Sequence, residues 1–513
     1  MVKSRIEETE EEFNARMAAI SSDAKNTNKP QAKPIESSNE FLNFFRFFIS
    51  LFCLTLSLVS ASSASTTIEH SQIMLNALGY KAGPPDGISG TRTKAAFQEF
   101  IAENGLKADQ VGFDLLEQLY DRYVEQTGQT VFDIMGKPES LLSGRVSEFP
   151  NSPFGSISAL REARTAAPYL SSMYYCSTAE ASLYKVNPDI GILMGFIKHE
   201  RGGYKTVASD QTNWSSNGMT ALGTYSENLQ TLAMDVLLND REASKDVLLD
   251  ILTRYAEADA FSWYSGSKSS NVLYNDTYGL KTVFTPTIAA WSVLKNTSDN
   301  LTLSEKVSID AWILRVINRV DHIHQKKPEL AGNRNNQRYM LALNLIQLGL
   351  LYKSEYYVHR ALLEATQVKE EQRPDGSLPL ETARGKDSLG YTGHATVSLM
   401  ALAEYSSLLG FDLYENQETN FKNVFKFFAL ASKDQSLIEA YARVKQKEFK
   451  SWRFGGMSQF CERYPTTDGC WSMGNFTRYD KENAHAKLEL NMGYNGMMNV
   501  CVNGLLWEAN SRP

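Results

Sequence analysis

The sequence predicts an all-α protein: an (α/α) toroid, or incomplete α/α barrel, preceded by a small three-helix unit. Two observations carry this. From residue 159 onward apolar residues recur at helical spacing in segment after segment, whereas the alternation of a half-buried strand is rare. The helical segments also come in pairs, joined by glycine-rich or polar loops, over more than three hundred residues. Pairs that each bury one stripe close into a ring whose loop ends form a cleft.

At 513 residues, 42% of them hydrophobic and 11% aromatic, the chain has material for a large core and more than one domain. Its formal net charge of -7 and pI near 5.7 argue against a nucleic-acid partner, which asks for a basic face. They leave room for a local basic cleft that takes an acidic polymer.

Residues 1–40 are rich in Glu, Ser, Asn and Lys without periodicity and read as a disordered leader. Residues 41–65 read as a signal peptide or a membrane anchor. The apolar run 47–59 is short for a span but suits a signal core, and the small residues 60–65 resemble a cleavage region. Export to the periplasm or medium is therefore expected, with membrane attachment only if the segment stays uncleaved. The acidic leader departs from the short basic start of an ordinary signal. Cys53 lies in the apolar run, and the remaining Cys176, Cys461, Cys470 and Cys501 permit disulfides. Cys461 and Cys470 flank a short loop that a bridge can close in an oxidising compartment. Cys176 and Cys501 either pair or stay thiols.

Residues 67–125 read as a compact helical unit. Ile73 to Tyr80 form a helix that Gly79 can end in a left-handed cap, Pro84-Pro85-Asp86-Gly87 make a tight turn, and Thr91 can cap the next helix. The order of leucine, glycine and tyrosine, then glycine, proline, aspartate and glycine, then threonine and an apolar helix, resembles the peptidoglycan-binding-like domain. That resemblance implies peptidoglycan as a second partner, or a unit that only packs on its neighbour. Residues 136–154 read as a linker, and 155–513 as the toroid, with helices at 179–184, 226–238, 243–256, 285–294 and 303–320.

Two polar clusters organise the toroid. Asn335-Asn336-Gln337-Arg338-Tyr339 precedes 340–351, which is apolar on nearly every side, and Leu380 to His394 precedes a second helix at 395–409. Amides, arginines and a tyrosine at the mouths of buried helices suit an anionic ligand. The first string resembles the Asn-Asn-His-x-Tyr motif of the α/α-toroid alginate lyases (polysaccharide lyase family 5 and relatives). The second, with Asp375-Gly376-Ser377-Leu378-Pro379-Leu380-Glu381, Arg384-Gly385 and Leu389-Gly390-Tyr391, is similar to that family's Asp-Gly-x-Leu-Pro-x-Glu, Arg-Gly and Leu-x-Tyr-His. The stretch 248–294 also resembles the helices before that family's cleft.

The resemblance implies β-elimination on a mannuronate-containing polymer. The proton on C5 is acidic enough only when the neighbouring carboxylate is neutralised, by the amides of Asn336 and Gln337 and the guanidinium of Arg384. Tyr391 then acts as base and as acid to the C4 oxygen on the same face. A phenol titrates near ~10, and partial ionisation near neutrality takes about 3 kcal/mol, within reach of a guanidinium in a partly dry cleft. Asn335, Arg338, Tyr339, Lys386 and His394 are expected to contact substrate.

Two departures bear on the mechanism. Gln337 stands where the family has histidine, and Thr392 replaces the histidine after the tyrosine. Gln337 can donate to a carboxylate but cannot take a proton, so a single-base, same-side elimination is expected. His394 either replaces the missing base or is a capping or hydrogen-bonded histidine. Another uronan, such as glucuronan, and a catalytically silent carbohydrate- or wall-binding protein are the alternative readings.

No cofactor or metal is expected. His322 and His324 are two apart on a helix, and His199-Glu200-Arg201-Gly202-Gly203 lacks the second histidine of a zinc motif. Tyr204, Trp214, Trp263 and Tyr264 either stack on sugars or belong to the core.

Overall fold

In the computed structural model, residues 65–106, 113–154, 156–166, 217–261, 270–328, 330–447, 457–468 and 470 are described, and among them helices and turns occur without a strand. The N-terminal unit consists of α1 (Thr66–Ala77), α2 (Thr91–Glu103) and α3 (Phe113–Thr127). Gly79 takes φ +97° and the Tyr80 amide donates back to the Leu75 carbonyl at 2.8 Å, the left-handed cap expected there. The turn that follows is held from inside. The amide nitrogen of buried Gln72 faces Asp86, the Ile88 carbonyl and Thr93 at 3.0 to 3.1 Å, and its oxygen accepts from Gly87. Thr91 is not the cap. Gly90 holds that position and Thr91 is the first helical residue.

Short α4 (Val131–Ile134) and α5 (Ile157–Ala166) lead to α6 (Asn217–Asn239), α7 (Glu242–Glu257), α8 (Ser270–Thr297), α9 (Leu303–Lys326), α10 (Asn336–Tyr352) and α11 (Glu355–Glu371). Then come α12 (Pro379–Thr382), α13 (Ser388–Ser407), α14 (Phe421–Lys433), α15 (Ser436–Ala442) and α16 (Ser458–Arg463). Alternate long helices form the inner layer: α6 packs on α8, α8 on α10, and α10 on α13. α7, α9, α11 and α14 back them from outside. This is the α/α toroid. Covered from both sides, α10 is buried at every position from Asn336 to Leu350, so it needs no polar face.

Two inner helices begin earlier than apolar periodicity suggests. α8 starts at Ser270 rather than 285, and polar residues share its buried face before that point. Lys281 donates to the Gly332 carbonyl and Asn333 Oδ1 at 3.2 Å, and Thr285 bonds Asn344 Oδ1 at 2.7 Å. α13 starts at Ser388 rather than 395. Gly390, Thr392 and Gly393 are poor helix formers, but all three are buried, and packing overrides propensity.

The N-terminal unit docks on the outer helices α9 and α11 through buried polar bonds. Thr67 donates to Asn318 Oδ1 at 3.0 Å, and His70 Nδ1 lies 2.9 Å from the Tyr356 hydroxyl. His359 donates from Nε2 to the Gly144 carbonyl at 2.9 Å, which leaves Nδ1 to accept from Tyr120 at 2.7 Å. Burial holds both imidazoles neutral, His70 down to about 3 and His359 to about 4. Residues 136–154 are a strap rather than a linker. Leu142 and Phe154 are buried, and Glu418 accepts from Ser140 Oγ and from the Leu142 amide. Glu355 accepts from the Val146 amide and pairs with Arg145, which also grips Asp121.

Cys461 and Cys470 are disulfide-bonded. The leader, the apolar run, the helix at 179–184, His199 to Gly203, Tyr204, Trp214, Trp263, Tyr264, Cys53, Cys176 and Cys501 lie outside the described residues. No described helix is long and apolar enough to cross a membrane.

Candidate active site

The site begins at the first turn of α10. Asn335 is its N-cap, with Oδ1 accepting from the Gln337 amide at 3.0 Å, and the Asn336 amide donates to Glu381 Oε1 of α12 at 2.6 Å. Two orphan donors of the helix start are thereby satisfied. Asn335, Asn336 and Gln337 are each 3% exposed or less. Asn335 Nδ2, Gln337 Oε1 and Glu381 Oε2 are buried without a protein hydrogen-bond partner. Such atoms cost stability until something polar meets them.

The second cluster approaches through a turn that requires its glycine. Gly376 has φ +87°, and a Cβ there would lie 2.1 Å from the Asn423 carbonyl oxygen. From that turn the chain enters α12, and Arg384 follows. Its Nε donates to the Leu380 carbonyl at 3.1 Å, and its Cζ stands 4.6 Å from the centroid of the Tyr391 ring. Tyr391 sits in the first turn of α13 and is 37% exposed, and the His394 ring is one turn on, 5.9 Å between centroids.

Glu381 joins the two clusters. It is fully buried, and burial pushes its carboxyl up to about 7 against the pull of Arg384 and the Asn336 amide. Sequence reading passed over it although it is the glutamate of the Leu-Pro-x-Glu string. Lys281 was missed as well, because nothing in a helical pattern marks a buried lysine. It steadies the loop before α10 from below, and burial lowers its ammonium to about 7.

The structure brings together Asn335, Asn336 and Gln337 through Glu381 with Arg384, and Arg384 with Tyr391 and its neighbour His394. Lys386 is exposed on the same loop. Arg338 and Tyr339, expected to touch substrate, turn inward instead. Arg338 bonds the Asn333 carbonyl at 2.9 Å and Glu371 at 2.8 Å, and Tyr339 is 2% exposed beside Glu371. The cause is the carboxylate of Glu371 on α11, which bonds Arg338 and lies beside the Tyr339 hydroxyl.

Glu381 allows a stability test. A carboxyl whose folded value is raised favours folding fully below its unfolded value, here 4.5, and loses that contribution as pH climbs through about 7. Glu381→Gln keeps an acceptor for the Asn336 amide and carries no charge. It is expected to match wild type near pH 4.5 and to exceed it by up to about 3 kcal/mol at pH 8, read from urea unfolding at both values. Parallel curves at the two pH values would show that the buried charge costs nothing.

The family model described as "Alginate lyase" matches residues 199–438, and the one described as "Putative peptidoglycan binding domain" matches residues 65–119. A "Polysaccharide lyase" of Stenotrophomonas maltophilia (strain K279a) is 28% identical over 119 residues, which are 23% of this chain and 35% of that protein. Among solved structures, alginate lyase A1-III from Sphingomonas species A1 is similar with a TM-score of 0.53 at 18% identity, over 65% of this chain and 97% of that one. An alginate lyase from Bacteroides ovatus gives 0.43 at 17%, over 67% and 99%. At 18% identity the likeness to the Sphingomonas enzyme establishes the fold.

Proposed function

From a toroid whose residues 199–438 match the alginate lyase family, we propose that this chain is an exported polysaccharide lyase that cleaves a mannuronate-containing polyuronate by β-elimination. The observation that carries it is the Arg384 guanidinium 4.6 Å from the ring of a solvent-reachable Tyr391, on a loop bonded through Glu381 to the amide turn of α10. A uronate carboxylate placed between Arg384 and the Asn336 and Gln337 amides has its charge offset. Asn335 Nδ2, the unpartnered donor of that turn, gains an acceptor at the same moment. Tyr391 takes the C5 proton, the C4–O bond breaks as the C4=C5 double bond forms, and the same phenol returns a proton to the departing oxygen. Gln337 in the histidine's place leaves this one phenol as the proton carrier on one face, which suits mannuronate rather than guluronate.

The test is a panel of polyuronates read by the absorbance of the unsaturated product. Signal on polymannuronate is the expected result. Signal on glucuronan alone would move the substrate, and binding without any new double bond would leave a silent carbohydrate-binding protein.

A further inference from the structure

A short basic segment is stitched to the loop that carries Arg384, and it lies beyond the stretch matched by the alginate lyase model. After α15 the chain turns at Arg443, φ +56°, and runs Arg443-Val444-Lys445-Gln446-Lys447, three cations in five residues of a chain whose net charge is -7. Three hydrogen bonds hold it in place. The Lys447 amide donates to the Lys386 carbonyl at 2.9 Å, Gln446 Nε2 donates to the Gly385 carbonyl at 3.1 Å, and Gln446 Oε1 accepts from the Leu389 amide at 3.0 Å. Lys447 also pairs with Asp387 at 2.6 Å. Arg443, Lys445 and Lys386 are exposed and have no ion pair among the described residues. Gln446 thus spans the loop from Gly385 to the start of α13, two residues before Tyr391.

Resting on the lyase reading of the same cleft, we propose that Lys386, Arg443 and Lys445 form an outlying subsite for the carboxylates of a long polyuronate, continuing the track that Arg384 begins. Each sugar of such a polymer carries one carboxylate. A group of cations on a segment held by these bonds therefore meets several of them with little further ordering of the chain. Asp387 and Glu439, the latter accepting from the Gln446 amide at 3.0 Å, offset part of this charge, and the positive excess that remains beside the cleft raises the local concentration of a polyanion and the rate at which it arrives. A short oligomer filling only the sugars around Tyr391 does not reach it.

The experiment uses the full mature chain with Tyr391→Phe, so that binding is read without turnover, and compares it with the same protein carrying Arg443→Ala and Lys445→Ala. The ligands are size-defined polymannuronate, a trimer and a dodecamer, at low and high salt. The expected result is a Kd for the dodecamer raised about tenfold at low salt, the loss of two modest charge contacts. The trimer Kd is unchanged, and the dodecamer difference disappears in high salt. Equal dodecamer affinity in the two proteins, equal losses on both lengths, or no dodecamer binding by the parent would each overturn the subsite. Tight, Arg443- and Lys445-dependent dodecamer binding with no unsaturated product from wild type would overturn the lyase reading and leave the subsite standing.

Discussion

Tyr391→Phe is expected to lower kcat on the best polyuronate by roughly 10³-fold or more, since one side chain is assigned both proton transfers and each such role is typically worth 10²–10⁴. The variant removes a single oxygen from a side chain that is 37% exposed. No cavity opens, the first turn of α13 keeps its packing, and the aromatic face toward Arg384 remains. Far-UV circular dichroism should therefore be unchanged while the absorbance of product stops rising. Arg384→Ala should cost about 10²–10³, the usual loss when one donor to developing charge is removed. Arg384→Lys should rescue only part, because a point charge cannot replace a planar fork. Normal activity in either the Phe or the Ala variant would remove that residue from the mechanism.

The largest effect on stability is expected at Arg360, well away from the cleft. Its guanidinium is fully buried, bonds Asp321 Oδ1 at 2.6 Å, and reaches Glu364 Oε1 at 3.1 Å. Glu364 Oε2 in turn meets His324 at 3.0 Å and Arg338 at 3.5 Å. Burial alone would raise the Glu364 carboxyl, but His324, Arg360 and Arg338 together hold it well below the usual carboxylate range. Arg360→Met takes the cation away and leaves Asp321, 2% exposed, as a stranded charge. Loss of one partner from a buried pair costs about 3–5 kcal/mol, to be read as a drop in the denaturant midpoint at constant slope. Adding Asp321→Asn should restore part of that loss, because the uncompensated anion goes with it. An Arg360→Met protein as stable as wild type would show that the network contributes little.

What the sequence revealed and what it hid have physical causes. Long apolar helices were legible because α10 and α13 are buried on all sides, and the Gly79 cap and the Asp-Gly turn at Gly87 were legible because few residues accept those backbone angles. The first half of α8 was hidden because Lys281 and Thr285 on its buried face are polar residues satisfied by distant partners. The strap at 136–154 has the composition of a linker, and its docking rests on residues far away in sequence, such as Glu418, 276 residues from Leu142, and Glu355, 209 from Val146. At the site, Tyr391, Arg384 and the amide turn were legible as types in a pattern. The inward set of Arg338 and the bridging position of Glu381 depend on contacts between α10, α11 and α12 that no local spacing encodes.

His359 spends both ring nitrogens on the N-terminal half of the chain, one on Tyr120 and one on the Gly144 carbonyl. A recombination event that exchanged residues 65–127 for a foreign module would take Tyr120 from His359, His70 from Tyr356 and Thr67 from Asn318 on the two outer helices. Exchange of the small unit alone is therefore expected to lower the stability of the toroid. The small unit is thus seated against α9 and α11 at one fixed position rather than hung on a tether.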